Sequence, residues 1–231
     1  SLINYLVLFL MGAAWGFSIP LTKITVSTGY GQFGLIFWQF VIAVIVLGFM
    51  LLVRRKRPIF ERKTIFLFIV LALLGTIFPN SASYVATYYL PASFIAILIA
   101  TVPMFSFPMA MLMGLEKKDL RRISGLFIGL LGVVILTAPE ASFPDRHLLI
   151  FIPLALLAPF FYAIEGNYVD KYGTAGQDPI QTFTGASILG TFMILPVTIS
   201  TGQWIDPFQP WPIENYTPVS YTHLTLPTST H

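Results

Sequence analysis

Long apolar stretches without charged residues alternate with short polar segments along this chain. A bilayer core about 30 Å thick is crossed by roughly 20 apolar helical residues, so each stretch of that length predicts one transmembrane helix. The uncharged stretch 64–115 is roughly twice as long as one crossing, and Leu90 and Pro91 predict the turn that divides it. The seven predicted spans are 2–22, 33–53, two within 64–115, 123–138, 148–167 and 179–201.

The composition is typical of a membrane protein. Hydrophobic residues make up 56% of the chain, charged residues only 10%, and the mean hydropathy is +0.79. Soluble domains contain about 25% charged residues. Helices satisfy their own backbone hydrogen bonds in lipid, and the sequence lacks the period of two that a membrane β-barrel requires. We therefore predict an all-α membrane protein, a multi-helix transmembrane bundle.

Basic residues are concentrated in alternate loops. Eleven of them lie in the loops 54–63 and 116–122 and at Lys171, whereas the other loops contain only Lys23 and Arg146. Loops rich in Lys and Arg remain on the cytoplasmic side, so the N-terminus is predicted to be cytoplasmic. The segment 116–122, with six charges in seven residues, is then a short cytoplasmic turn between spans four and five.

Several function classes are disfavoured by the residue inventory. The formal charge of +3 comes from short juxtamembrane clusters, so we expect no nucleic-acid partner. The absence of cysteine excludes disulfides, thiolate metal sites and cysteine nucleophiles. The chain also lacks HExxH, nucleophile-elbow and Walker A motifs. We therefore expect no cofactor, no metal site and no enzymatic activity.

The hydropathy pattern repeats weakly at an offset of 147 residues. At this offset Trp15 falls on Tyr162, Gly29 falls on Gly176, and span two falls on span seven. A unit of five helices ends on the opposite side of the membrane from its start, so its second copy is inverted. Inverted repeats of this kind are common in secondary transporters.

The segment 88–136 resembles the fourth and fifth helices of the EamA family, within the drug/metabolite transporter (DMT) superfamily. It reads YYLPASFIAILIATVPMFSFPMAMLMGLEKKDLRRISGLFIGLLGVVIL. The segment AAWGFSIPLTK, which contains Trp15, is similar to that family's first helix. The positions that carry the resemblance in 88–136 are Pro91, Ala92, Pro103, Gly114, Glu116, Gly125 and Gly132.

The resemblance implies a ten-helix fold built from two inverted five-helix repeats. Residues 1–139 would form the first repeat, and residues 148–205 the first two helices of the second. The segment 206–231 would be an extracytoplasmic loop followed by a tail, VSYTHLTLPTST, that resembles a translated sequencing adapter. We therefore expect a C-terminally truncated fragment with a non-native tail.

The resemblance also implies a function. It predicts a secondary-active exporter of small metabolites, amino acids or drugs that works by alternating access in the plasma membrane, which is the inner membrane of a bacterium. Its expected partners are the substrate, the lipid bilayer, protons as a coupling ion, and a second copy in a homodimer. The alternatives left open are a non-transporting scaffold, a channel-like assembly and a membrane-embedded enzyme.

Polar residues at membrane depth are the candidates for substrate binding, because lipid does not satisfy their hydrogen bonds. In span three, Asn80, Tyr84 and Tyr88 recur at i, i+4 and i+8 and therefore share one helix face. Interhelical hydrogen bonding is the alternative role for these side chains. The further candidates in spans one, two and seven are Trp15, Ser18, Trp38, Gln39 and Gln181.

Three other features are assigned roles from sequence. Glu165 is the one carboxylate within a predicted span and is our candidate for proton coupling, although nearby Asp170 and Lys171 leave open an interfacial position. Pro79, Pro103 and Pro108 are predicted to bend spans three and four, since proline cannot donate to the helical ladder. The small residues predicted to allow close helix packing in span five are Gly125, Gly129 and Gly132.

Overall fold

The computed structural model describes residues 2–136 and 146–208, and within them the chain is an all-α bundle. A π-helical turn, Leu73–Ile77, joins the third helix to the fourth, and a 3-10 turn, Arg146–Phe151, precedes the eighth. The helices are α1 (Leu2–Ser27), α2 (Gln32–Val53), α3 (Arg62–Ala72), α4 (Phe78–Tyr89), α5 (Ala92–Ile99), α6 (Val102–Leu112), α7 (Leu120–Leu136), α8 (Ile152–Tyr172) and α9 (Pro179–Ser200).

Six helical segments in the described residues are long and apolar enough to cross a membrane. The predicted fifth span corresponds to α7, which has 17 residues and reaches the limit of the described segment, so its last positions, 137 and 138, lie outside it. The predicted fold class is thereby confirmed. The six segments are Ile3–Ser27, Gln32–Val53, Arg62–Tyr89, Ala92–Leu112, Leu148–Tyr172 and Pro179–Ser200.

The third span changes its helical geometry just before Pro79. Proline has no N–H to donate to the carbonyl four residues earlier, which here is that of Gly75, and its ring crowds that carbonyl. The backbone accommodates this with the π-helical turn Leu73–Ile77. The span ends where predicted, because Leu90 and Pro91 are both extended, with ψ of 150° and 145°.

The fourth span is interrupted by Pro103 in the same manner. The carbonyl that Pro103 cannot pair with belongs to Ile99, and α5 ends at that residue. Helix α6 restarts at Val102 with Pro103 in its first turn, where the missing N–H costs nothing. Pro108, by contrast, lies inside α6 without ending it.

Helix α9 packs between α2 and α3, and its glycines make this close approach possible. A Cβ atom on Gly190 would collide with the ring of Phe40 in α2. One on Gly185 would collide with the ring of Phe68 in α3. Both phenylalanines are almost completely buried in these two contacts. The two small residues therefore set the spacing of the three helices.

A second apolar cluster joins α4, α5 and α8 through Ala86, Leu90, Phe94 and Ala155. Helix α7 lies at the edge of the bundle, and none of its described residues is buried.

The predicted packing stripe in α7 meets a neighbouring helix at one glycine. An added Cβ on Gly129 would lie 3.0 Å from Met104 in α6. At Gly125 and Gly132 an added Cβ would meet nothing within 4 Å among the described residues. Among the described residues, the stripe therefore contacts another helix only at its middle position, Gly129.

The basic loops gather at one end of the bundle. Lys56 Nζ lies 2.9 Å from Asp178 Oδ2 in the loop that precedes α9. The hydrogen bond from Lys56 and one from a backbone N–H hold the pKa of the Asp178 carboxyl below its usual range. Lys171 Nζ donates to the carbonyl of Met113 at the end of α6, 3.0 Å away. Lys23 lies at the opposite end.

Candidate functional site

A cavity of about 330 Å³ opens between α1, α2, α4, α5 and α8. Trp15, near the middle of α1, and Tyr162, in α8, both contribute to its wall. The cavity extends from the middle of the bundle towards the end at which Lys23 lies. Its lining residues are Trp15, Ser18, Ile19, Thr22, Gln39, Asn80, Ser83, Tyr84, Thr87, Ile95, Ile99 and Tyr162.

A hydrogen-bonded network of four side chains forms the polar part of this wall. Asn80 Nδ2 donates to Gln39 Oε1 at 2.8 Å, and the Tyr84 hydroxyl donates to the same oxygen at 3.1 Å. The Tyr162 hydroxyl donates to Asn80 Oδ1, also at 3.1 Å. Asn80 is buried, with 7% of its surface exposed. The network therefore joins α2, α4 and α8 through one amide.

Helix α4 presents a continuous polar face to the cavity. Ser83 and Tyr84 lie three and four residues after Asn80, and Thr87 lies seven after it, which places all four on one side of the helix. Lys23 Nζ donates to the carbonyls of Thr87 and Tyr88 at the end of α4, at 2.7 and 2.9 Å. A cation suits this position, because the last carbonyls of a helix lack partners and carry partial negative charge.

The structure brings five of the eight predicted substrate-binding residues to the cavity, namely Trp15, Ser18, Gln39, Asn80 and Tyr84. Tyr88 lines a separate cavity of about 210 Å³ between α1, α2 and α4, which also touches Tyr84.

Trp38 and Gln181 lie elsewhere. Trp38 Nε1 donates to the carbonyl of Ile205 at 2.9 Å, and its ring packs against Trp204. Successive side chains of a helix are rotated by about 100°, so Trp38 points away from the direction of Gln39. Gln181 forms a capping box with Asp178 at the start of α9 and donates to the carbonyl of Arg57. Neither residue lines the cavity.

Glu165 lies next to the cavity rather than in its wall. An added Cβ on Gly75 would come within 2.6 Å of Glu165 Oε1, so the carboxyl group occupies the space left by the missing side chain in the π-helical turn. Glu165 has neither a hydrogen-bond nor an ion-pair partner among the described residues. It lies one helical turn from Tyr162, about 4.5 Å along α8 towards the basic end.

A further cavity, of about 350 Å³, opens at the basic end between α6 and α8. Asn167 lies in its wall and donates to Ser106 Oγ at 3.0 Å and to the Ser106 carbonyl at 3.1 Å. Pro103 also lines this cavity, together with the carboxylates of Glu116 and Asp170. Along α8, Glu165 therefore lies between Tyr162 of the 330 Å³ cavity and Asn167 of the 350 Å³ cavity.

Three lining residues were missed as site candidates although the sequence carried a signal for each. Tyr162 is the residue that the offset of 147 aligns with Trp15. Thr87 lies seven residues after Asn80, and Thr22 lies four after Ser18, so both share the face of a predicted residue. Extending each polar face by one or two turns would have found Thr87 and Thr22.

The apolar helices make the chain a multi-pass helical membrane protein, and its match to a transporter family gives the class. The model of the EamA-like transporter family matches residues 2–138, and the chain belongs to this family. No curated protein and no solved structure matches the chain.

Proposed function

We propose that this protein is a secondary-active exporter of small metabolites, amino acids or drugs, and that the cavity of about 330 Å³ is its substrate site. The observation that carries the proposal is the wall of that cavity. It combines aromatic rings with amide and hydroxyl groups near the middle of the membrane-spanning helices, where such groups fix the orientation of a small ligand.

The predicted internal repeat supports alternating access at this site. The aligned residues Trp15 and Tyr162 line the same cavity from α1 and α8. The aligned helices α2 and α9 pack directly against each other, with the ring of Phe40 against Gly190. Both relationships are expected of two inverted repeats that meet around a pseudo-two-fold axis, with the substrate site at the interface between them.

The position of Glu165 supports its proposed role in proton coupling. Along α8 it lies between the 330 Å³ cavity and the 350 Å³ cavity. Its carboxyl group rests against Gly75 without a polar partner among the described residues. A charged carboxylate without a partner at membrane depth costs free energy. Binding a proton removes that charge, so protonation of Glu165 can favour one conformation of the protein over another. In this proposal, protons bind at Glu165 and the substrate binds at the cavity beside it.

The proposed orientation places the N-terminus and the basic end in the cytoplasm of a bacterium, with the protein in its inner membrane. The loop 54–61 and the segment before α9 meet at this end through Lys56 and Asp178. Lys and Arg near span ends favour the cytoplasmic side. The 330 Å³ cavity then opens towards the outside and the 350 Å³ cavity towards the cytoplasm.

Counterflow in proteoliposomes tests the proposal. Vesicles are loaded with an unlabelled solute and diluted into buffer that contains a trace of the same solute in radiolabelled form. The experiment is repeated for a panel of neutral, cationic and anionic metabolites. A carrier produces a transient overshoot of label that saturates with solute concentration. A channel-like assembly gives unsaturable flux without overshoot, and a scaffold gives the signal of protein-free vesicles; either result for the whole panel contradicts the proposal.

A further inference from the structure

A groove of about 850 Å³ runs between the beginning of α3 and the end of α8, at the basic end of the bundle. It has more than twice the volume of the 330 Å³ cavity or the 350 Å³ cavity. None of the residues assigned to solute or proton binding lines it. The groove is therefore a separate feature of the molecule.

The floor and one side of the groove are apolar. Leu67 is 4% exposed and belongs to a core cluster with Phe68, against which Tyr168 packs. Phe66, also in the wall, is 59% exposed. Within a membrane such a surface is covered by hydrocarbon, since no water reaches the bilayer core. An acyl chain therefore suits this part of the groove.

Two cations stand at the mouth of the groove, which is the part nearest the membrane surface. Arg62 and Lys63 begin α3 and line the groove. Among the described residues neither has an ion-pair partner, whereas Arg54, Lys56 and Arg122 at the same end are all paired. The mouth thus carries two positive charges that the described part of the chain leaves uncompensated.

These cations lie at the depth of lipid head groups. The span Arg62–Tyr89 has 28 residues and is roughly 42 Å long, about 12 Å longer than a bilayer core of about 30 Å. Roughly four residues at each end therefore lie among the head groups. Ile69, the deepest lining residue of α3, is about 10 Å further along the helix. The groove thus leads from the phosphates to the first part of the acyl chains.

No carboxylate lines the groove in the described part of the chain. Glu61 precedes Arg62 but is not in the wall, and Asp170 lines the 350 Å³ cavity instead. The Glu165 carboxyl group rests against Gly75, which is roughly 20 Å deeper along the span than Arg62. An anionic group at the mouth therefore meets the two cations without a carboxylate beside it.

We propose that this groove binds an anionic phospholipid from the leaflet at the basic end. Its phosphate lies on Arg62 and Lys63, and one acyl chain lies against Phe66 and Leu67. A guanidinium can bind a phosphate through two parallel hydrogen bonds, and basic pockets between membrane helices bind lipid head groups. Tyr172, 62% exposed, contributes an aromatic ring of the kind found at membrane interfaces. The inference requires helices that span a membrane but does not require solute transport.

Native mass spectrometry of the protein released from detergent micelles tests the site. Phosphatidylglycerol and phosphatidylcholine with identical acyl chains are titrated separately, and bound lipids are counted. The first phosphatidylglycerol should bind at least roughly tenfold more tightly than the first phosphatidylcholine, whose ammonium group cancels the phosphate charge. Equal affinities would overturn the inference.

The role of the cations is tested in the double variant Arg62→Gln with Lys63→Gln. Each basic residue near a charged lipid surface contributes roughly fivefold, so the affinity for phosphatidylglycerol should fall roughly twentyfold. The matched control is Lys117→Gln with Lys118→Gln, which removes the same charge from an exposed loop outside the groove. The control should retain the affinity of the unmodified protein.

The role of the groove itself is tested with both cations in place. Ile69→Trp fills the groove and should abolish tight binding of phosphatidylglycerol, whereas Ile45→Trp, at a position of α2 that is 64% exposed, should retain it. Excess glycerol 3-phosphate, which has the phosphate but no acyl chains, should not displace the lipid. Displacement would show that a free phosphate suffices and would overturn the proposed lipid site.

Unchanged affinity for phosphatidylglycerol in the Arg62 and Lys63 double variant, or in Ile69→Trp, would also overturn the inference. The double variant changes only the ends of interfacial side chains, so it decides the question even if Ile69→Trp fails to fold. None of these results bears on the counterflow test, and lipid binding is measured without any transported solute. The two proposals can therefore fail separately.

Discussion

The hydroxyl of Tyr162 donates to Asn80 Oδ1 at 3.1 Å, and this contact joins the third and sixth predicted spans at the wall of the cavity. The other end of the same amide donates to Gln39. Asn80 is thus held from two sides, by α2 and α8, and these two bonds fix the orientation of its amide.

We expect this contact to contribute to substrate affinity by fixing the Asn80 amide. Tyr162→Phe and Asn80→Ala should each raise the half-saturation concentration for counterflow by roughly three- to tenfold, the effect of one lost neutral hydrogen bond. In the double variant, the half-saturation concentration should rise by less than the product of the two single-variant factors, because both changes remove the same bond. Multiplicative effects in this double-mutant cycle would show that the two residues act independently.

The packing of Glu165 against Gly75 predicts a separable effect on coupling. Gly75→Ala should displace the carboxyl group, since the new Cβ would lie 2.6 Å from Glu165 Oε1. The fold should persist, because the displaced atoms are the end of a flexible side chain. Glu165→Gln should keep solute exchange but abolish uptake driven by a pH gradient, and Gly75→Ala should reduce the same uptake.

The control for this pair is Gly48→Ala in α2, where an added Cβ meets nothing within 4 Å among the described residues. It should leave both exchange and gradient-driven uptake unchanged. If Glu165→Gln retains uptake driven by a pH gradient, Glu165 does not carry the coupling proton, although the cavity assignment is unaffected.

The break at Pro103 is predicted to matter for movement more than for folding. Pro103→Ala restores the N–H that can pair with the Ile99 carbonyl, so α5 and α6 can join into one continuous helix. We expect transport to slow by more than the amount of protein in the membrane falls. Quantified immunoblots beside initial rates measure both, and an unchanged rate per molecule would make the break a static feature.

Orientation is tested by single cysteines, because the chain contains none. Lys118→Cys lies in the exposed loop at the basic end, and Ser200→Cys lies exposed at the end of α9 on the other side. In intact cells an impermeant maleimide should label position 200 and spare position 118 until the membrane is permeabilised. External labelling of position 118 would place the N-terminus outside.

The sequence predicted the spans and one face of the site because both depend on local rules. Hydropathy and length located the helices, and the break at Leu90 and Pro91 was confirmed. The pair Asn80 and Tyr84 could be assigned to one face because i and i+4 positions share a side of any helix.

The rest of the site depends on how each helix is rotated in the bundle, which a single sequence does not determine. The side chains of Trp38 and Gln39 are neighbours in sequence but point in different directions, so both could not line one cavity. The packing of α2 in the bundle determines that Gln39 faces the cavity. Gln181 was predicted from its polarity in an apolar segment. It serves a local purpose instead, since the N–H groups of the first turn of α9 need caps.

The claim that solute passes through the 330 Å³ cavity is tested most directly by blocking it. Ser83→Cys introduces one thiol into the cavity wall, and N-ethylmaleimide then fills the space; Ser124→Cys, exposed on α7, is the labelled control. After complete labelling, counterflow through Ser83→Cys should fall to the level of protein-free vesicles, whereas labelled Ser124→Cys should retain its counterflow rate. Saturating solute should slow the labelling of Ser83→Cys. Unchanged counterflow in fully labelled Ser83→Cys would contradict the account.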